Sequence, residues 1–276
     1  MLTLLCDYLQ RVLAPARVYD EQRTVALALQ RSILGPTDLP AGFAARYEPA
    51  SNTLEVGGDW YDVIALPNGG IGVVVGDVVG HGLPAAAVMG RLRSAGRALL
   101  LENNSPPQVL TALDKFAALV IGARCSTVFC AVINPHARTL CYSSAGHPPA
   151  ILVDAAGDHR LLEHAQSPPL AVVDTIYRPE ADATLPAGST LLLYTDGLIE
   201  RRQESLEIGI DRAVAALVSC RASAPDDLAD RLTAQLLADG HADDVAFLLY
   251  RQPRSAPGSS AVTKPALIGR YANATG

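Results

Sequence analysis

The chain has 276 residues, of which 49% are hydrophobic and 18% are charged, and its net charge is −6. A chain of this length and apolar content can bury a substantial core, which argues against a globally disordered protein. The negative charge and the lack of a basic stripe argue against nonspecific nucleic-acid binding, which depends on neutralising phosphates.

The N-terminal segment has helical spacing over residues 2–14 and 19–34, and Gly35-Pro36 ends the second helix. We interpret residues 1–35 as a helical segment that covers the core, transmits a signal or forms a homodimer contact. No basic n-region precedes Asp7, and no apolar run reaches the ~20 residues of a membrane span. We therefore expect a cytoplasmic protein without a membrane anchor.

Strand and helix patterns then alternate in pairs. Asn68-Gly69-Gly70 is a strong hairpin signal, and prolines open the two helices that follow. The predicted strands are 42–49, 54–66, 70–79, 126–134, 138–144, 149–153, 160–163, 190–195 and 244–250. The predicted helices are 84–101, 106–121, 209–220 and 225–239.

Strands that arrive as hairpins, with paired helices between them, favour a mainly antiparallel sandwich over βαβ units. From Pro253 onward the chain is rich in Pro, Ser, Gly and Ala without periodicity. We interpret residues 253–276 as a disordered tail and residues 36–252 as one domain.

The cysteines form no Cys-x-x-Cys pair, and their odd number argues against a disulfide framework. Cys125, Cys130 and Cys141 lie in or beside apolar runs. We therefore expect small buried hydrophobic residues there rather than a soft-metal site.

Four aspartates stand at the ends of strand-like runs, each beside glycine or a second acid. They are Asp59 in Val-Gly-Gly-Asp-Trp-Tyr-Asp, Asp77 in Gly-Asp-Val-Val-Gly-His-Gly, Asp196 in Leu-Leu-Leu-Tyr-Thr-Asp-Gly and Asp243 in His-Ala-Asp-Asp-Val-Ala-Phe. A single aspartate there is usually a turn former or a helix cap. Four favour a shared cage for hard divalent cations, because clustered carboxylates at low dielectric need positive charge. The pattern predicts a metal-dependent hydrolase.

Metal ions in such a site could activate water for in-line attack on phosphorus. The leaving group would then need an acid, for which His81 and Asp62 are candidates by proximity alone. His81 could equally hold its own loop through a backbone hydrogen bond.

Five motifs occur in order along the chain. They are Val56-Gly-Gly-Asp-Trp-Tyr-Asp62, Gly76-Asp-Val-Val-Gly-His-Gly82, Ala145-Gly-His-Pro-Pro149, Leu193-Tyr-Thr-Asp-Gly-Leu-Ile-Glu-Arg201 and Ala242-Asp-Asp-Val245. Together they resemble the metal-dependent PPM (type 2C) serine/threonine phosphatases, specifically their SpoIIE/RsbU-like bacterial branch. The likeness runs from about Leu29 to Arg251.

The resemblance implies an α+β fold, a four-layer αββα sandwich of two antiparallel sheets flanked by helices. It also implies two Mn²⁺ or Mg²⁺ ions at one edge. By motif, Asp77 would bridge both ions, and the Val78 carbonyl would ligate one of them. Asp59 would bind one ion, directly or through water. Asp196 and Asp243 would bind the other ion, and Asp244 is the alternative to Asp243.

In this branch the usual substrate is a phosphoserine or phosphothreonine on a small anti-sigma-factor antagonist with a STAS-like fold. Dephosphorylation lets the antagonist capture an anti-sigma kinase and free a sigma factor. The resemblance therefore implies a protein phosphatase in a partner-switching pathway.

The chain departs from the family pattern in a few places. Only about 35 residues precede the motifs, so we expect regulation through a partner or through the N-terminal helices rather than a sensor domain. Ala171 stands where glycine is common. No arginine matches the phosphate-binding arginine of the eukaryotic branch of the family. Arg46 and Arg91 are possible substitutes, but we expect them to be ordinary surface arginines. We interpret Ala145–Pro149 as a structural turn.

Two other functions stay open. One is a phosphatase-like module that has lost turnover and only binds a partner, although uncompensated buried carboxylates would be costly there. The other is a dimetal hydrolase of small phosphate esters, which would use the same chemistry.

Overall fold

The computed structural model describes residues 38–50, 57–102, 105–174, 176–238, 240–241 and 243–254. The helices predicted at 2–14 and 19–34, and the tail beyond residue 254, lie outside the described residues.

Eleven strands within these ranges form two sheets. The strands are β1 Phe43–Glu48, β2 Trp60–Ala65, β3 Ile71–Asp77, β4 Thr127–Asn134, β5 Thr139–Ala145, β6 Ala150–Val153, β7 His159–Leu162, β8 Gln166–Ser167, β9 Ala181–Thr184, β10 Thr190–Tyr194 and β11 Val245–Arg251. The first sheet has the order β1-β11-β10-β6-β7. The second has the order β2-β3-β4-β5-β8, and β9 also pairs with β5. Neighbouring strands are antiparallel except for the short β5–β8 pair.

Four helices cover the sheets. They are α1 Gly82–Leu101, α2 Pro106–Leu119, α3 Leu206–Ser219 and α4 Pro225–Leu236. Residues buried on α1, such as Ala85, Met89, Leu92 and Leu100, recur at helical spacing and face the core. The start of α2 is fixed by a capping box between Ser105 and Gln108.

Three apolar layers hold the elements together. One lies between the second sheet and α1 with α2, one between the two sheets, and one between the first sheet and α3 with α4. The two faces of each sheet therefore contribute side chains to two different apolar layers, as the two-residue period of a strand requires. The four-layer α+β sandwich predicted from the sequence is confirmed.

The central elements match the predicted ranges to within a few residues, whereas several edges do not. The strand predicted from residue 54 begins at Trp60, and the helix predicted from residue 209 begins at Leu206. The helices predicted to residues 121 and 239 end at Leu119 and Leu236. The pattern missed β8, β9 and a 3₁₀ turn at Asp196–Leu198, because such short or half-polar segments carry little periodicity.

The prediction that Cys125 is buried is wrong. It lies in the exposed loop before β4 with φ +67°, so its neighbouring apolar run does not extend to it. Cys130 is buried, as predicted, and Cys141 is half-buried.

Two ion pairs attach α1 to the second sheet and α2 to the loop between β8 and β9. Asp62 on β2 is 1% exposed and accepts hydrogen bonds from Arg97, with Nε 2.9 Å from Oδ2, while the Arg93 guanidinium lies 3.4 Å away. Arg178 donates to Asp114 of α2 over 2.7 Å. Single carboxylates on the sheet and on α2 therefore act as anchors through charge-assisted hydrogen bonds.

No helix in the described part of the chain is both long enough and apolar enough to cross a membrane.

Two glycines should respond oppositely to alanine. A methyl group at Gly76 on β3 would overlap the ring of Trp60 and lie 2.8 Å from the Thr127 carbonyl oxygen. Gly76→Ala should therefore cost about 2 kcal/mol of unfolding free energy through overpacking. A methyl at Gly96 on α1 would meet only Leu113, at 3.7 Å. Gly96→Ala should add about 1 kcal/mol through helix propensity.

Urea unfolding with EDTA present measures both changes. Shifts of the same sign in the two variants would contradict this account of the packing.

Candidate metal centre

The four aspartates singled out by the sequence stand at the ends of neighbouring strands in the two sheets. Asp59 directly precedes β2, and Asp77 is the last residue of β3. Asp196 follows β10 at the start of the 3₁₀ turn, and Asp243 lies two residues before β11. Antiparallel pairing of β2 with β3 brings Asp59 to Asp77, and pairing of β10 with β11 brings Asp196 to Asp243. The charges of Asp196 and Asp243 act on Asp77, so the two pairs meet at one edge of the sandwich.

The segments carrying Asp59 and Asp77 approach each other closely. The Val78 N–H donates to the Gly58 carbonyl over 3.3 Å. A side chain at Gly58 would overlap the Val78 carbonyl oxygen, so only glycine permits this contact. The contact fixes the backbone at Val78 against the backbone at Gly58, next to Asp59.

Asp59 and Asp77 form a carboxyl pair. Burial and the charge of Asp77 raise the pKa of the Asp59 carboxyl well above its usual value, while a hydrogen bond with Thr195 opposes the shift. Burial and the charge of Asp196 raise the pKa of Asp77 to about 6, and its hydrogen bond with Asp59 opposes that shift. The two carboxyl groups therefore raise the cost of ionising each other.

Asp196 and Asp243 complete the cluster on its more exposed side. Burial and the charges of Asp243 and Glu200 raise the pKa of Asp196, which the Gly197 N–H partly counteracts. Asp59 is buried, Asp77 and Asp196 are half-buried, and Asp243 is exposed. The cluster therefore opens toward solvent on the side of Asp243.

Both acids before β11 act on the cluster. The charges of Asp243 and Asp244 each raise the pKa of Asp77. Asp243 also raises the pKa of Asp196, and Asp244 that of Asp59. Asp244 is buried, and its Oδ1 accepts the Ala50 N–H over 3.0 Å, whereas Asp243 is exposed. Both acids therefore stay candidate ligands.

The residues fit divalent cations that retain water. Asp59 Oδ2 is buried without a hydrogen-bond partner, and the neighbouring carboxylates raise one another's pKa values. No group of three or more His, Cys, Asp and Glu side chains within the described ranges is arranged to hold an ion on its own. Ions of the Mg²⁺ type often use one or two carboxylates and keep several waters, which suits paired carboxylates.

The other candidates lie outside this cluster. Asp62 is held by the two arginines of α1, so it is engaged as an acceptor and not placed to donate a proton. Arg46 pairs with Asp230, with Nη2 2.7 Å from Oδ1, and Arg91 stacks over the Phe116 ring. His81 is exposed at the residue before α1 and makes no side-chain cap of that helix.

Sequence reasoning missed the residues that support the cluster from behind. The Thr195 hydroxyl accepts the Ala246 N–H over 2.9 Å and also bonds Asp59. His147 is 3% exposed, with Nε2 3.0 Å from the Tyr194 carbonyl and Nδ1 2.8 Å from the Thr127 hydroxyl. The Ala145–Pro149 motif signalled His147, but its partners are 20 and 47 residues away and only the fold reveals them.

The protonation state of His147 follows from its partners. A carbonyl only accepts, so Nε2 carries the proton and donates to Tyr194, while the Thr127 hydroxyl donates to Nδ1. Burial lowers the pKa of the imidazole to about 4, against which the Tyr194 carbonyl acts. His147 is thus a neutral, fully bonded part of the folded protein.

Comparison with known proteins adds to this geometry. Residues 67–253 match the family described as Stage II sporulation protein E (SpoIIE). The phosphoserine phosphatase RsbP of Bacillus subtilis (strain 168) is 29% identical over 152 residues, which make up 53% of this chain and 37% of RsbP.

Solved structures share the fold. The RsbU and RsbW domains of Rv1364c from Mycobacterium tuberculosis give a TM-score of 0.71 at 35% identity, covering 80% of this chain and 63% of that one. The PP2C phosphatase domain of SpoIIE from Bacillus subtilis, solved with a fragment of its regulatory domain, gives 0.69 at 16% identity, covering 78% and 63%. The chain thus spans less than two thirds of the length of each of these relatives.

Removing the buried Asp59 carboxylate should stabilise the metal-free protein. The pKa of Asp59 is raised on folding, so its ionisation costs stability as the pH rises through the folded value. At pH 7 in EDTA, Asp59→Asn should therefore increase the unfolding free energy by about 1 kcal/mol or more. The same variant should lose most of the rise in melting temperature that Mn²⁺ gives the wild type.

The matched control is Asp230→Asn, which neutralises an exposed aspartate paired with Arg46. It should change stability by less than about 1 kcal/mol and leave the Mn²⁺ response intact. A less stable Asp59→Asn apoprotein would show that the carboxylate is a structural acceptor instead.

His147 should contribute a pH-dependent term of the opposite sign. Unfolded histidine binds a proton near pH 6.5, whereas folded His147 does so only near pH 4. Its contribution is therefore complete above pH 6.5 and falls by on the order of 3 kcal/mol as the pH drops to 4. The His147→Gln variant lacks this pH-dependent contribution. The difference in unfolding free energy between wild type and variant should therefore narrow as the pH falls from 6.5 to 4. Urea unfolding in EDTA measures the gap, and the aspartates, common to both proteins, cancel.

A gap that stays constant from pH 7 to pH 4 would show that His147 is not held neutral.

Proposed function

Because the chain belongs to the SpoIIE family, we propose that it is a metal-dependent protein phosphatase that hydrolyses phosphoserine and phosphothreonine. The observation that carries the proposal is the buried Asp59–Asp77 carboxyl pair at the strand ends, with Asp196 and Asp243 beside it. Such a cluster is unfavourable without cations and therefore suited to binding them.

We assign two ions, Mn²⁺ or Mg²⁺, to this edge. Asp77 would contact both, because it interacts with Asp59 on one side and with Asp196 on the other. The further ligands would be Asp59, the Val78 carbonyl, Asp196 and Asp243. When bound, ions of this kind lower the pKa of water and offset the charge of a phosphoryl group.

Neighbouring residues hold Asp59 and Asp77 in fixed positions. Asp59 is held by the Thr195 hydroxyl, and the Gly58–Val78 contact fixes the backbone between Asp59 and Asp77. The cluster opens beside exposed Asp243, which gives a substrate on another protein access to it. His81, exposed directly before α1, would be the proton donor for the leaving group, since Asp62 is held in its ion pair.

A phosphorylated anti-sigma-factor antagonist with a STAS-like fold is the proposed substrate. Its support is the named activity of RsbP, a phosphoserine phosphatase, and the mycobacterial protein in which RsbU and RsbW domains occur together. Residues 36–252 would form the catalytic domain and act in the cytoplasm. A homodimer would use the N-terminal segment.

The two alternative functions differ in measurable ways. A phosphatase-like binding module would bind the phosphoprotein without releasing phosphate. A hydrolase of small esters would turn over p-nitrophenyl phosphate but not the phosphoprotein.

The test is phosphate release from p-nitrophenyl phosphate and from a phosphorylated antagonist, with Mn²⁺ and with EDTA. The wild type should turn over both substrates only with Mn²⁺. Asp77→Asn should lower the rate by at least ~10²-fold, because it removes the carboxylate between the two ion sites.

Asp227→Asn is the control, as it removes an exposed carboxylate on α4. It should retain the wild-type rate. Undiminished turnover by Asp77→Asn would refute the central role of that residue.

A further inference from the structure

The turn formed by Gly146, His147, Pro148 and Pro149 carries the chain from one sheet to the other. It follows β5 of the second sheet and leads into β6 of the first. Gly146 has φ +66°, and a side chain there would overlap Pro169. The turn therefore has a fixed path between the two layers.

The backbone of the turn is held without the imidazole. The His147 carbonyl accepts hydrogen bonds from the Ser144 hydroxyl and from the Gln166 amide, both over 3.2 Å. The Gly146 N–H donates to the Ser167 carbonyl over 2.6 Å. The ring is thus available for a task other than shaping the turn.

The two partners of the ring belong to different sheets. Thr127 begins β4 of the second sheet, and its register partner on β3 is Asp77. Tyr194 ends β10 of the first sheet, and Thr195, the next residue, bonds Asp59. The imidazole therefore lies between the strand that flanks Asp77 and the strand that leads to Asp196.

We propose that His147 is a positioning residue that sets the distance between the two sheets at the edge where the aspartates gather. The inference rests on the proposed metal-dependent function. Its physical basis is that a planar ring with one donor and one acceptor on opposite sides can bridge two strands only at one separation. Ligands carried by both sheets then keep a fixed spacing when the ions leave.

The alternative is that His147 is a structural residue whose buried ring only satisfies its own hydrogen bonds. Both hypotheses predict that mutation lowers the unfolding free energy, so stability alone does not separate them. Mn²⁺ affinity does, because only a positioning residue makes the spacing of the carboxylates depend on its two bonds.

The experiment measures Mn²⁺ binding by calorimetry and by electron paramagnetic resonance on the full chain. Thr127→Val removes the hydroxyl that donates to Nδ1 and keeps the side-chain shape. It should weaken Mn²⁺ binding about 10-fold, whereas Thr127→Ser, which keeps the hydroxyl, should stay within about 2-fold of the wild type. His147→Gln, which keeps an N–H donor, should also weaken binding by about 10-fold because the bridge is no longer rigid.

Tyr250→Phe is the stability control. It removes a buried 3.0 Å hydrogen bond to Gln252 at the end of β11 remote from Asp243. It should lower the melting temperature by about 3 °C and leave Mn²⁺ affinity unchanged.

Equal Mn²⁺ affinity in wild type, Thr127→Val and His147→Gln would overturn the inference and leave the proposed function standing. A loss of affinity in Tyr250→Phe as large as that in Thr127→Val would also overturn it, since the effect would then follow global stability. A wild type that binds no Mn²⁺ would overturn both.

Discussion

Repulsion between carboxylates gathered at one edge of the sandwich is the constraint on which the rest of the structure depends. Strand pairing brings Asp59 to Asp77, and the packing of the two sheets brings Asp196 to them. The apolar layers on either side lower the local dielectric and so increase the cost of their charges. Burial of apolar side chains elsewhere in the fold offsets this unfavourable electrostatic energy. A bound cation would relieve the repulsion between the carboxylates.

The side chains that support the carboxylate cluster form uncharged hydrogen bonds, whereas helices and loops are attached by ion pairs. Thr195 and His147 hold the strand ends through uncharged hydrogen bonds. The charge-assisted pairs Asp62–Arg97 and Asp114–Arg178 attach helices and loops at a distance from the edge. Arginine serves attachment in these pairs, whereas a fixed cation among the clustered carboxylates would compete with a metal ion.

Much of this arrangement was predictable from the sequence. Apolar runs such as β10 and β11 are buried on both faces and predict central strands, and an aspartate at the end of each locates the edge. The separation of Asp243 from Asp244 was not predictable, because it depends on which acid meets the Ala50 N–H. The role of His147 was also hidden, since its partners are distant in sequence. Local pattern identifies the turn, and only tertiary packing determines what the ring contacts.

The raised pKa values of Asp59 and Asp77 also affect the stoichiometry of ion uptake. A carboxylate must give up its proton before it can ligate a cation, so filling the site expels hydrogen ions into solvent. Burial and neighbouring charges raise both pKa values, that of Asp77 to about 6, so this exchange occurs at a higher pH than for ordinary aspartates. Occupancy would then follow ambient acidity as well as cation concentration.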